Sequence, residues 1–177
     1  KDASSKKELE SDIDEMTAML NSYMSFVKSE TPDPIEEINF HDLLREICNS
    51  SIIKNKKIDL EINKEIKSSG RPLQLRRCFV NLIENAIRYS EKIIVELNVN
   101  DENIIINISD NGPGIPQNKY DDVFKPFFTL DSSRNKLKGE SGLGLTISRD
   151  IIRSHGGDIS LLKSSLGGLK VSVVLPK

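Results

Sequence analysis

The apolar residues Leu9, Ile13, Met16, Leu20, Tyr23 and Val27 recur at alternating steps of four and three, drawing one stripe down a helix over residues 1 to 30. Charged and small polar residues fill the opposite face, so this helix needs partners in a bundle or coiled coil. Thr31-Pro32-Asp33-Pro34 ends it, because neither proline can continue the hydrogen-bond ladder. Beyond the break, Ile35 to Phe40 reads as a strand, and Asn39 with Asp42 three residues on predicts a capped helix to about Ile53. Ile58, Leu60 and Ile62 alternate as a strand, and Pro72 opens a helix to Tyr89. Val95-Leu97-Val99 and Ile104-Ile106-Ile108 alternate on either side of an Asn-Asp-Glu-Asn turn and predict a hairpin. A glycine-punctuated stretch without clear periodicity spans about 111 to 141. A helix from Gly142 to His155 follows, stopped by Gly156-Gly157, and strands around Ile159-Leu161 and Leu169 to Leu175 complete the chain.

Interleaved helices and strands, with several strands joined by short turns, predict an α+β fold: a two-layer α/β sandwich with a mixed sheet and its helices on one face. No internal repeat is present. The aperiodic loop of about 30 residues is the outlier, since compact domains rarely keep one that long unless it covers a site.

Composition narrows the partners rather than the fold. The chain has 177 residues, 37% hydrophobic and 29% charged, enough for one core plus an accessory element. Its net charge of -2 gives no basic excess to draw nucleic acid or anionic lipid. No apolar run approaches the roughly 20 residues needed to span a bilayer. The start, Lys1-Asp2-Ala3-Ser4-Ser5, is neither a signal peptide nor an initiating Met, so a piece of a longer protein is expected. Cys48 and Cys78 lack metal-type spacing and read as reduced structural thiols, which fits a cytoplasmic compartment.

Candidate chemistry sits in three places. On the helix after Pro72, Asn81, Glu84, Asn85 and Arg88 fall within about 100° of arc, beside an apolar face of Leu75, Phe79, Leu82, Ala86 and Tyr89. The stripe is either a solvated face or a ligand site. Two asparagines a turn apart favour a site, since amide oxygens suit a hard cation such as Mg²⁺ and Arg88 suits phosphate. Asp110-Asn111-Gly112-Pro113-Gly114-Ile115-Pro116 leaves a strand end; it is either a plain turn or a place where Asp110 accepts from an exocyclic amine while a flat ring approaches the backbone. A purine meets both conditions. Gly139-Glu140-Ser141-Gly142-Leu143-Gly144-Leu145 leads into a helix whose free N–H groups and dipole suit phosphate, although Ser141 could equally be a simple cap. Arg134, Lys136 and Lys138 in the same loop are either solubilising charge or mobile phosphate contacts.

In this order and spacing the segments resemble the Bergerat-type ATP-binding fold of sensor histidine kinases, type II topoisomerases, heat-shock-90 chaperones and mismatch-repair ATPases. The chain looks most like bacterial histidine kinases of the osmosensor type. Asn81 to Ser90 is similar to their N box, Asp110 to Ile115 to the first glycine box, Phe124-Lys125-Pro126-Phe127-Phe128 to the F box and Gly142-Leu143-Gly144-Leu145 to the second glycine box. The resemblance implies that Asn85 holds Mg²⁺ on the triphosphate and Asp110 reads the adenine amino group. By the same carry-over Asn81, Arg88 and Tyr89 line the ATP site together with Gly112, Gly114, Ile115, Arg134, Gly142, Leu143, Gly144 and Leu145. Glu84 is the implied catalytic residue, orienting or deprotonating the attacking imidazole.

The implied organisation is a second helix of the dimerisation hairpin over 1–31, then an ATP-binding catalytic domain over 32–177 with a lid at about 129–141. The resemblance also implies a homodimer through the N-terminal helix, a response-regulator partner, and the cytoplasmic portion of a bacterial parent anchored in the inner membrane. The phosphoacceptor histidine is expected upstream; His41 and His155 are expected to be structural. Two positions depart from the family pattern. Gly167-Gly168 is followed by Leu169 and Lys170 where many relatives carry a hydroxyl, and Arg71 precedes Pro72 where many carry Asp. The rival readings are an ATP-hydrolysing clamp of the same fold and a catalytically silent dimeric signalling module.

Overall fold

The computed structural model describes residues 33–50, 57–62, 65–130 and 142–177, together with Ile13. The expected helix over 1–30 and most of the expected lid, Arg134 included, lie outside the described residues; Ile13, one position of the apolar stripe, is exposed.

Strand β1 (Glu36–Asn39) leads directly into helix α1 (Phe40–Asn49). The expected cap is formed: Asn39 Oδ1 accepts the N–H groups of His41 at 3.1 Å and Asp42 at 3.4 Å. The helix stops at Asn49 instead of running to Ile53. Ser50 is extended at ψ 154°, with its N–H turned back to the Ile47 carbonyl. Asn49 and Ser50 are residue types whose side chains compete for backbone bonds, so the helix gains little by continuing.

Strand β2 (Lys57–Ile62) and strand β3 (Lys67–Gly70) follow. The pattern of Lys67-Ser68-Ser69-Gly70 gives no sign of β3. It forms because it pairs antiparallel with β1, Glu36 opposite Gly70 and Asn39 opposite Lys67. Pro72 then opens helix α2 (Pro72–Tyr89), and strands β4 (Lys92–Val99) and β5 (Asn103–Asp110) form the expected hairpin. Asn100 Oδ1 closes that turn by accepting from the N–H groups of Glu102 and Asn103. Two 3-10 turns, Gln117–Lys119 and Asp122–Phe124, interrupt the aperiodic stretch before helix α3 (Gly144–Ser154), strand β6 (Asp158–Lys163) and strand β7 (Leu169–Pro176).

The main sheet has the order β2-β4-β5-β7-β6. Only β2 and β4 run parallel, so the sheet is mixed as expected. Alternate strand residues, Ile93, Val95, Leu97, Ile104, Ile106, Ile108, Val171 and Val173, are buried with Leu75, Phe79, Leu82, Ile83, Ile147, Ile151 and Ile152 of the helices in one core. Phe40 meets Phe79 edge to face at 6.3 Å between ring centroids, joining α1 to α2. Burying each of these side chains contributes about 1.5–3 kcal/mol, and this apolar layer holds α2 and α3 against the sheet.

Helix α3 ends as its glycines require. Gly156 takes φ +79°, its N–H reaches the Arg153 carbonyl and the Gly157 N–H reaches Ile152. Its start is two residues later than expected, because Gly142 sits at φ +64°, a left-handed value no right-handed helix accommodates.

Candidate functional site

Helix α2 buries Leu75, Cys78, Phe79, Leu82, Ile83 and Ala86, which rotates Asn81, Glu84 and Asn85 to the edge of the core, half-buried, with Arg88 and Tyr89 exposed beyond them. The expected polar stripe therefore borders the packed layer. Two bonds to α3 set what faces it. Ser148 Oγ donates to the carbonyls of Gly144 and Cys78, and Cys78 Sγ donates to the Ser148 carbonyl. Burial pushes the Cys78 thiol up to about 12, so it stays protonated as a donor at neutral pH. This clasp brings Gly144 beside Asn85: a Cβ on Gly144 would lie 3.8 Å from Asn85 Nδ2.

Asp110, the last residue of β5, is 6% exposed. Its Oδ1 accepts the N–H groups of Gly112 at 2.8 Å and Leu169 at 3.1 Å, and its carbonyl accepts that of Gly168 at 3.2 Å. Among the described residues no hydrogen bond reaches Oδ2. The carboxylate is thus oriented by one oxygen and has the other to offer. The approach depends on missing side chains, since a Cβ on Gly168 would overlap Asp110 Oδ1 and one on Gly112 would come within 2.7 Å of the Tyr89 carbonyl. Asn111 fixes the same turn to the end of α2, its Oδ1 accepting from the N–H groups of Glu91 and Lys92. Asp110, Gly112 and Tyr89 are therefore neighbours, and Gly114 lies against Gly168, where a Cβ would be 3.5 Å from the backbone. Ile115 is half-buried against the core.

On the other side, Phe124 is buried and its carbonyl accepts from Thr146 Oγ1 at 2.9 Å, while the Arg149 guanidinium lies 4.4 Å over its ring. Phe127 stands at φ +62° and its N–H reaches the Gly142 carbonyl. The F-box segment is thereby latched to the start of α3. Ser141 lies outside the described residues, and the N-cap position of α3 is held by Leu143 with no capping side chain. Leu143 and Leu145 pack their side chains on the core, which leaves the backbone of this first turn as the part that could meet a ligand.

Residues 70–177 match the family described as histidine kinase-, DNA gyrase B- and HSP90-like ATPase. The chain belongs to that family. Within it, the chain is 31% identical over 94% of its length to the sensor histidine kinase GtrS of Pseudomonas aeruginosa, covering 34% of that protein. It is 27% identical over 95% of its length to the sensor histidine kinase CpxA of Escherichia coli, covering 38% of that protein. The chain thus spans little more than a third of these curated relatives. Its fold matches the catalytic domain of histidine kinase ThkA, with a TM-score of 0.71 at 27% identity over 81% of this chain and 96% of that one. The ATP-binding domain of PrrB from Mycobacterium tuberculosis aligns at a TM-score of 0.68 and 26% identity, covering 81% and 98%.

One contributor to the site escapes the sequence pattern. Gly168 and the Leu169 N–H hold Asp110, and only the doubled glycine before β7 hints at it. His155 is structural as expected. Its Nε2 accepts the Arg71 N–H at 3.0 Å and its Nδ1 donates to the Ile151 carbonyl at 2.7 Å, which fixes the ring between α2 and α3.

Proposed function

We propose that this chain is the ATP-binding catalytic part of a bacterial sensor histidine kinase, moving the γ-phosphoryl group of ATP to a histidine on an upstream helix and from there to a response-regulator aspartate. The observation that carries the reading is Asp110, a buried carboxylate with Oδ1 locked by backbone donors and Oδ2 open. Such a group accepts a hydrogen bond from the amino group of adenine, in a cleft whose glycines admit a flat ring.

The start of α3, whose N-cap residue Leu143 supplies no side-chain cap, brings backbone N–H groups and the positive end of a helix dipole to the phosphates, with Arg88 adding a cation. Gly142, Gly144 and the Leu143 and Leu145 backbone line this end; Arg134 would reach in from the lid. No cluster of three or more His, Cys, Asp or Glu occurs among the described residues. The half-buried Asn85 amide oxygen, with Asn81 alongside, suits a Mg²⁺ that would be held chiefly by the triphosphate. A Mg²⁺ held there would supply positive charge to the triphosphate. Glu84, half-buried on the same stripe, orients the imidazole and takes its proton as nitrogen bonds to the γ-phosphorus and ADP departs. The remaining work is positioning, which a rigid helix edge supplies.

Residues 1–31 are read as the dimerisation helix on their apolar stripe. Among the described residues no helix is long and apolar enough to cross a membrane. Roughly two thirds of each sensor kinase relative lies outside the match, room for the anchoring and sensing parts assigned to the parent.

The test incubates the full-length protein with Mg²⁺ and ATP labelled on the γ-phosphate, beside Asn85→Ala. Acid-labile, base-stable label on the wild type alone supports a histidine kinase. Free phosphate without labelled protein indicates an ATPase clamp, and neither signal a silent signalling module.

A further inference from the structure

The helix that carries the proposed nucleotide stripe does not cap itself. Arg71 occupies the N-cap position of α2 and its side chain makes no capping bond; Pro72 follows and has no N–H. The first turn is held from outside instead. Asp33 Oδ2 accepts the Gln74 N–H at 3.0 Å, across 41 residues of sequence. His155 Nε2 accepts the Arg71 N–H at 3.0 Å. His155 belongs to the end of α3, within the core layer, whereas Asp33 belongs to the Pro-Asp-Pro linker that joins the apolar-striped segment to the catalytic domain. A carboxylate there both satisfies an orphan donor and lies at the positive end of the helix dipole. Pro34 restricts the backbone of Asp33, the residue before it, so the carboxylate goes where the linker goes.

We propose that Asp33 is a positioning residue: its carboxylate caps the first turn of α2 from 41 residues earlier in the chain, and through it the linker fixes how the Asn81–Glu84–Asn85 edge is presented to the upstream histidine. A cap built into the helix would give the same local order with no mechanical tie to the linker. The inference rests on the proposed kinase reading for its effect on transfer, but not for the bond itself.

The experiment uses the full-length protein and reads two quantities. The first is amide hydrogen exchange at Gln74. Asp33→Ala is expected to speed it about fivefold or more, the loss of one cap, while Asp33→Asn, which keeps an acceptor oxygen, leaves it near wild type. The second is phosphoryl transfer at saturating ATP beside the affinity for a fluorescent ATP analogue. Asp33→Ala is expected to lower the transfer rate about tenfold with affinity changed less than about twofold. The double variant Asp33→Ala with Arg71→Asp puts a cap back on the helix itself. It is expected to restore the protection of Gln74 but not the transfer rate. Full recovery of transfer in the double variant would overturn the positioning role, leaving an ordinary cap. Unchanged exchange in Asp33→Ala would overturn the bond. A wild-type protein that never labels on histidine would sink the kinase reading instead, and Gln74 exchange would still decide whether the linker caps the helix.

Discussion

The two ends of the candidate site are built on opposite plans. At the Asp110 end, every group is fixed by the chain itself: one carboxylate oxygen is bonded to Gly112 and Leu169, and the turn is tied down by Asn111. At the α3 end the helix start has no side-chain cap, though the rest of the helix is firmly held by the Ser148 clasp and by Asp158. A preorganised acceptor selects which base enters, because its geometry cannot adapt to a wrong one. A helix start without a side-chain cap suits an anion, and in the proposed reading phosphate takes that place.

That contrast is broken most severely at Gly168. Gly168→Ala drives a Cβ into Asp110 Oδ1, so ATP binding is expected to fall beyond detection in titration calorimetry, with about 1–3 kcal/mol lost from stability in a urea melt. Asp110→Asn separates recognition from folding. The amide oxygen can still accept from Gly112 and Leu169, so the melt should move by about 1 kcal/mol or less, while the NH₂ now opposes the adenine amino group and affinity should fall about 100-fold. Equal losses in both measurements would mean that Asp110 is a structural residue only.

The α3 end is expected to be tolerant. Gly144→Ala brings its Cβ to ordinary contact with the Asn85 amide, so ATP affinity should drop only about threefold and helix propensity should hold or raise stability. The smallest effect lies at the far end of α3. Desolvation raises the Asp158 pKa, but hydrogen bonds from Arg153 and Arg149 and from the Ile159 N–H outweigh it and hold the carboxyl at about 2. A carboxyl lowered on folding stabilises above its unfolded value near 4, and that stabilisation disappears as pH falls from about 4 to about 2. The side chain is 54% exposed, so after screening the contribution is below about 1 kcal/mol. Urea melts at pH 5 and pH 2.5 should show a gap between wild type and Asp158→Asn at the higher pH that narrows at the lower.

The same contrast explains what could be read from the chain. The polar stripe of α2 was legible because helical period and chemistry fall in one continuous segment, and the hairpin because Ile104, Ile106 and Ile108 alternate. The lock on Asp110 was not, since one of its donors is the backbone N–H of Leu169, 59 residues away, and a backbone donor leaves no mark on sequence. Strand β3 was hidden for a similar reason, as Lys67-Ser68-Ser69-Gly70 gains its structure from β1 rather than from its own side chains. The Asp33 cap repeats the pattern: a turn-type linker residue reads locally as a helix stop, while its bond is made to a helix start far along the chain.

The most direct test of the account compares Mg²⁺-ATP with Mg²⁺-GTP by titration calorimetry on the wild-type protein. Guanine presents a carbonyl oxygen where adenine carries its amino group, so a fixed Asp110 carboxylate should repel it, and ATP should bind at least about 100-fold more tightly. Equal affinities for the two nucleotides would contradict the reading of Asp110 as the preorganised selector of the base.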